Sequence, residues 1–233
     1  MDTQQKIIAI IPARGGSKGL PRKNVRLLAG KPLIYYTIKE AKKSKYLHRL
    51  IVSTEDAEIT GTARKYEAEV IERPVELAQD DTPAVKVCQQ VVTYLEESDR
   101  LYTDIIVLLN PTSPCRLAED IDRTIEMFLE TNCDSVVSVC EAEHPPQWMF
   151  NIEGDRLKPI IKEWDKVTRR QDAPKTYRLN GAVFVLRRDV IMGQDKLMGD
   201  NIRPYIMPLE RSVDIDTDLD FRMAEQMLTS VDR

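Results

Sequence analysis

Residues 6–24 read KIIAIIPARGGSKGLPRKN. From Ile7 to Ile11 the run is apolar without alternation, the pattern of a strand buried on both faces of a parallel sheet. Pro12 closes the strand. Gly15, Gly16 and Gly19 then open a loop that carries Arg14, Lys18, Arg22 and Lys23. A loop that follows such a strand leaves the carboxyl edge of the sheet, where open α/β folds bind their ligands. Glycines allow backbone N–H groups to turn inward, and the basic side chains add charge-assisted donors. A charge-dense anion such as a triphosphate is the partner this predicts. The loop reads G-G-x-x-G, so it is neither the P-loop G-x-x-x-x-G-K-[ST] nor the dinucleotide fingerprint G-x-G-x-x-G.

Outward from this loop, strand-like and helical patterns alternate. Helical spacing is seen in PLIYYTIKEAKKS (32–44), from Asp56 to Tyr66, in DDTPAVKVCQQVVTYLEES (80–98) with Asp81 or Thr82 as cap, and in RLAEDIDRTIEMFLE (116–130). Strands are expected at RLIVST (49–54), AEVIE (68–72), DIIVLLN (104–110), DSVVSVC (134–140), GAVFVL (181–186), YIMP (205–208) and SVDID (212–216). A last helix runs from about Asp218 to Leu228, with Thr217 as cap and Asp220 three residues on. The alternation predicts an α/β fold, a mostly parallel sheet flanked by helices, in one domain covering residues 1–233. Between about 141 and 176 the pattern loosens, and both tryptophans fall there. This segment is expected to leave the sheet as a hairpin or arm.

Composition narrows the partners. The 233 residues are 42% hydrophobic and 31% charged, with a net charge of −4, so the basic cluster is local. That argues against a nucleic-acid polymer and for a small anion. No apolar stretch is long enough for a membrane span or a secretory leader. The four cysteines form no C-x-x-C pair, which argues against zinc and for a reduced, cytoplasmic chain.

The second chemical signal lies near the other end, in SVDIDTDLD (212–220). In an extended segment Asp214 and Asp216 share a face, roughly 7 Å apart along the backbone, with Ile215 turned away. Two carboxylates so close repel, and a hard divalent cation relieves the repulsion. Mg²⁺ takes one or two carboxylates and completes its shell with water and phosphate oxygens. A basic loop and a metal-binding acid pair together predict nucleotidyl transfer, with pyrophosphate leaving.

Seven segments, in order, carry a family resemblance: IIPARGGSKGLPRKN, IVSTEDAEI, RPVELAQDDTP, LLNPTSPCR, DSVVSV, RRQDAPKTYRLNGAVF and VDIDTDLDF. Together they resemble the acylneuraminate cytidylyltransferases, the CMP-sialic acid synthetases, from about Lys6 to Leu228. The resemblance implies a Rossmann-like nucleotidyltransferase fold and a homodimer whose arms, at about 141–176, reach the partner's sugar site. It implies transfer of CMP from CTP to a nine-carbon 2-keto sugar acid, with Mg²⁺. By the same likeness Arg14, Lys18 and Lys23 act on the phosphates, and Ala13, Arg14, Gly15, Gly16, Asn24, Arg73 and Asp80 surround the nucleotide. Asp214 and Asp216 match the metal and catalytic aspartates, and either is a candidate base. Asn110, Arg170, Gln171, Asn180 with Gly181, and Phe184 fall on the sugar side.

Departures gather on that sugar side. Asn110 stands where the family usually has glutamine, Cys115 where it has leucine, and Phe184 where it has tyrosine, while DKLMGDN (195–201) lacks the paired aromatics of well-known members. The acceptor is therefore expected to be sialic acid or a bacterial analogue of legionaminic or pseudaminic type. Rival readings are another sugar nucleotidyltransferase on this fold, including one for ketodeoxyoctonate, a non-catalytic nucleotide sensor, and a nicotinamide-dependent oxidoreductase, against which the missing fingerprint speaks.

Overall fold

The structure is a computed structural model that describes residues 5–16 and 19–231; Lys18 lies outside the described residues. Strand β1 (Ile7–Pro12) is followed by the short pair β2 (Leu27–Leu28) and β3 (Lys31–Pro32), then helix α1 (Leu33–Ala41). Next come β4 (Arg49–Thr54), α2 (Ala57–Lys65), β5 (Glu69–Glu72), α3 (Ala84–Ser98), β6 (Ile105–Leu108), α4 (Ala118–Glu130) and β7 (Ser135–Glu141). A hairpin of β8 (Phe150–Glu153) and β9 (Arg156–Pro159) stands apart from the sheet. The chain ends with β10 (Tyr177–Arg187), α5 (Arg188–Met192), β11 (Ile202–Ile206) and α6 (Asp218–Val231).

Seven strands make one sheet in the order β11-β7-β10-β6-β1-β4-β5. All neighbours pair in parallel except β10, which is antiparallel to both β6 and β7. The expected mostly parallel α/β architecture is therefore observed, with one reversed strand.

Alternate side chains of β1 explain its unbroken apolar run. Ile7, Ala9 and Ile11 pack with Ile34 and Ile38 of α1, Ile59 of α2 and Ile121 and Ile125 of α4. Ile8 and Ile10 pack on the other face with Cys88, Val91, Val92 and Leu95 of α3. A third, smaller core joins Leu20 of the glycine loop, Leu28, Leu33, Cys115, Ile215 and Phe221. None of the helices among the described residues is long and apolar enough to cross a membrane.

Several local expectations shift. Residues 212–216 form no strand; Ile215 N–H instead donates to the Thr112 carbonyl at 2.9 Å. The segment is needed beside the 110–116 turn, away from the ladder edge. The strand expected at 205–208 begins earlier, at Ile202. Helix α3 starts at Ala84, and neither Asp81 nor Thr82 caps it, because Pro83 holds the extended N-cap position. At α6 the capping pair forms: Asp220 accepts from Thr217 N–H at 2.8 Å, and the Thr217 hydroxyl accepts from Asp220 N–H at 3.3 Å.

One buried ion pair ties α4 to the sheet's far edge. Asp120, fully buried, accepts two bonds from Arg211 at 2.9 and 2.7 Å, one from the Tyr205 hydroxyl at 3.2 Å, and the Leu117 N–H at 2.9 Å. Removing one partner of such a pair leaves a charge without compensation. Arg211→Met is expected to destabilise the fold by about 2–4 kcal/mol, somewhat below the range of about 3–5 for fully buried pairs, because the Arg211 side chain is 30% exposed. Urea unfolding checks this.

Candidate functional site

Strands β1, β4, β5 and β6 all deliver their carboxyl ends to one edge of the sheet, and the reversed β10 brings its amino-terminal half there. Ala13 is buried, and its N–H donates to Ser53 at 3.0 Å, so the first loop departs along the end of β4. Gly15 N–H donates to Glu55 at 2.6 Å. A Cβ on Gly15 would lie 2.5 Å from the Asp56 carboxylate, so glycine is required there. Gly16 has open space around it.

The three described cations of the loop divide into different roles. Arg14 donates to the Gln79 carbonyl and pairs with Asp80, each at 2.8 Å, with both side chains partly exposed. The Asn24 amide braces the same turn by donating to the Arg14 carbonyl at 2.9 Å. Arg22 holds Asp56 at 2.5 and 3.0 Å and also pairs with Glu58, which fixes the loop to the start of α2. The Arg22 guanidinium keeps the Asp56 carboxyl below its ordinary range. Arg22 is thus a fastener, not a free phosphate cation. Lys23 crosses to the other end of the chain: its Nζ donates to the Ile215 carbonyl at 2.7 Å and to Asp216 at 3.1 Å.

That crossing joins the two chemical signals of the sequence. Gly19 lies against the acidic segment so closely that a Cβ would sit 2.6 Å from the Asp216 carbonyl oxygen. Ile215 is fully buried with Leu20 and Phe221, which leaves Asp214 and Asp216 facing outward. Burial pushes the Asp214 carboxyl up from its usual range; Thr112 opposes this through a hydrogen bond, and the Asp216 charge adds to it. Asp216 stays mostly in water, 75% exposed. Among the described residues there is no cluster of three or more His, Cys, Asp or Glu side chains shaped for a metal. Two carboxylates beside a cationic glycine loop do suit Mg²⁺, which takes its other ligands from water and phosphate.

The other residues singled out in the sequence fall at different places. Arg73 is buried and donates to Ser53 at 3.2 and 2.7 Å; burial lowers its pKa. Asn110 donates to the Gly181 carbonyl at 2.9 Å. Gly181 has φ +71° at a register shift in β10, and a Cβ there would sit 3.5 Å from Asp214. Asn180, expected on the sugar side, is buried instead. Its amide accepts from Ser138 at 2.6 Å and donates to Ser212 at 2.9 Å, so it clamps β7, β10 and the segment before Asp214. Phe184 packs in the core with Leu108 and Val137 and does not line the cleft. Arg170 and Gln171 are exposed on the arm, in a separate concavity with Pro145 and Thr176. Within one chain they do not meet the acid pair.

Four contributors went unassigned from sequence. Glu55 and Thr112 follow strand ends, a position that marks them as candidates. Arg116 is fully buried, its pKa pushed down to about 10 by burial, and it holds the Asn110 and Ala182 carbonyls at 3.2 and 2.6 Å. Arg178 faces Asp214 across a cavity of about 380 Å³. Cys115, with its thiol pushed up to about 11 by burial, is a packing residue.

A cationic glycine loop and an outward acid pair on one sheet edge define an α/β nucleotidyltransferase. A family model described as Cytidylyltransferase matches residues 8–198, and the chain belongs to that family of enzymes. It is 33% identical over 227 residues to the CMP-N,N'-diacetyllegionaminic acid synthase of Legionella pneumophila, covering 96% of each chain. It is likewise 33% identical over 223 residues to the N-acylneuraminate cytidylyltransferase of Escherichia coli, covering 94% of this chain and 51% of that one. Among solved structures, a CMP:2-keto-3-deoxy-manno-octonic acid synthetase complexed with CTP shares the fold, with TM-score 0.73 over 97% of this chain and 100% of that one, at 16% identity.

Two substitutions separate the roles. Lys23→Met frees Asp216 from the loop and is expected to lower kcat by roughly 100-fold, the scale of losing one preorganised electrostatic contact, with the melting temperature little changed; steady-state kinetics and thermal unfolding check it. Asn180→Ala leaves the Ser138 and Ser212 hydroxyls without their buried partner and is expected to cost about 1–3 kcal/mol of stability, measured by urea unfolding.

Proposed function

We propose that this chain transfers CMP from CTP to the anomeric hydroxyl of a nine-carbon 2-keto sugar acid of the sialic or legionaminic type, releasing pyrophosphate. The observation that carries the reading is the contact of Lys23 with Ile215 and Asp216, which puts a phosphate-binding loop and an acid pair around one cleft. The sugar-acid class follows the relatives of comparable length, whose names specify such acids.

In this scheme Arg14 and Lys23 take the triphosphate, while Arg22 and Asn24 hold the loop in shape. Asp214 and Asp216 would hold Mg²⁺, and the chemistry it would supply is neutralisation of phosphate charge. The acceptor hydroxyl forms the new bond to the α-phosphorus as the bond to pyrophosphate breaks. Asp214 lies on the acceptor side, against Gly181, and is positioned to take the hydroxyl proton; Asp216 lies on the loop side, against Lys23. Catalysis here is positioning and charge neutralisation.

The arm supports a homodimer with arm exchange. Its Ile152, Leu157 and Ile160 are 75%, 67% and 58% exposed, an apolar display that a second copy would cover. Arg170 and Gln171 then serve the partner's acceptor site.

Pyrophosphate release with CTP, UTP, GTP and ATP, each with Mg²⁺ and a panel of nonulosonic acids, tests the reading. CTP with a legionaminic- or sialic-type acid is expected to give turnover and a CMP-sugar of the matching mass. Turnover with another nucleotide, or with ketodeoxyoctonate alone, would replace it.

A further inference from the structure

The Asp216 side chain is 75% exposed, so packing does not fix its direction. Its backbone has to do so, and that stretch of backbone is held from three sides. Ile215, just before it, is fully buried, and its N–H donates to the Thr112 carbonyl at 2.9 Å. The Asp216 carbonyl oxygen lies so near Gly19 that a Cβ there would meet it at 2.6 Å. The Asp216 N–H donates to Oδ2 of Asp220 at 3.1 Å.

That last bond is more than a helix start requires. The reciprocal cap of α6 joins Thr217 and Asp220: Asp220 Oδ2 accepts from Thr217 N–H at 2.8 Å, and the Thr217 hydroxyl accepts from Asp220 N–H at 3.3 Å. The same Oδ2 takes two further donors, the Thr217 hydroxyl at 2.8 Å and the Asp216 N–H. Asp216 lies one residue before the cap, outside the helix. The bond to its N–H therefore serves the peptide from which the Asp216 carboxylate projects. Arg26 fastens this end of α6 to the chain after the first loop: it pairs with Asp218 at 2.7 Å and lies over the Phe221 ring at 4.4 Å. The helix end is a fixed platform, and Asp220 carries its position to Asp216.

We propose that Asp220 is a positioning residue for the transfer reaction: through the Asp216 peptide it holds the Asp216 carboxylate in the direction a divalent cation needs. This rests on the reading of Asp214 and Asp216 as the metal pair. Asp220 acts here through an oxygen already committed to three donors, not as a ligand.

Mn²⁺ binding to the full chain, followed by electron paramagnetic resonance, and the Mg²⁺ dependence of turnover test this. Asp220→Ala is expected to weaken Mn²⁺ binding roughly 10-fold, the scale of losing one hydrogen bond to a charged group. The Mg²⁺ concentration for half-maximal turnover is expected to rise about as much, while the KM for CTP at saturating Mg²⁺ stays close to parental. Asp220→Asn keeps an amide oxygen for the same N–H groups and is expected to recover most of the loss. Asp220→Glu keeps the capping box but shifts the carboxylate by one methylene; it is expected to melt like the parent and still bind Mn²⁺ more weakly. Thr217→Ala removes a cap bond and leaves the Asp216 N–H on Asp220, so it is expected to lower the melting temperature with parental Mn²⁺ binding. Parental Mn²⁺ binding in both Asp220→Ala and Asp220→Glu, an equal loss in Thr217→Ala, or no recovery in Asp220→Asn would overturn the assignment. Asp216→Ala, measured alongside, separates the two levels. Loss of Mn²⁺ binding there with none in the Asp220 variants removes this inference alone; no effect there, or no metal dependence in the parent enzyme, removes the metal reading as well.

Discussion

The site depends on one contact between distant parts of the chain, where the loop after β1 meets the segment before α6. Lys23 reaches Asp216 and the Ile215 carbonyl there, but that polar link is not what holds the ends together. Asp216 is 75% exposed, and ion pairs with so exposed a member contribute about 0–1 kcal/mol. Leu20, Ile215 and Phe221 are buried in one cluster. Each such side chain contributes about 1.5–3 kcal/mol by leaving water. Apolar burial therefore sets the position, and Lys23 sets the electrostatics of what has been positioned. Gly19 is the condition for both, since its missing Cβ lets the two backbones close.

The reversed strand supplies the other half of the cleft. Were β10 parallel, Arg178 and Gly181 would sit at the far edge of the sheet. Its antiparallel course places them beside Asp214, and the bulge between Leu179 and Phe184 turns the backbone so that Gly181 faces Asn110 and Asp214. Arg116 then fastens the two walls by holding a carbonyl from each. Buried without a bonded carboxylate, it carries a desolvation cost that its carbonyl contacts and the nearby charges of Asp120 and Glu40 offset. Small shifts of this arginine move both walls together.

Much of this architecture was legible in the sequence because it is local. Continuous apolar runs gave β1, β4 and β6, helical spacing gave α1 to α4, and the alternation of Asp214, Ile215 and Asp216 gave the outward acid pair even though no strand forms there. What was hidden is the set of contacts that depend on topology. Nothing in the spelling of Asn180 separates a ligand-facing amide from a core clamp; only the convergence of Ser138 and Ser212 on it decides. Arg22 looks like its neighbours Arg14 and Lys23, yet the start of α2 claims it. Arg178 lies in a segment that carries the resemblance, but its bidentate pairing with Glu143 depends on topology.

The described cations of the first loop each rest against an acid: Arg14 on Asp80, Arg22 on Asp56 and Glu58, Lys23 on Asp216. These pairs differ in how readily they exchange. The Arg14–Asp80 pair is 30% and 38% exposed, so water screens it and its exchange for another anion would cost little. Lys23 also holds the Ile215 carbonyl, so it keeps a fixed partner even if Asp216 takes another. Arg22 engages two carboxylates, one of which also caps α2 through the Glu58 and Ile59 N–H groups. Exchange there would undo a helix start as well as an ion pair. The same loop therefore carries cations meant to change partners and one meant to stay, and the acid facing each of them sets which it is.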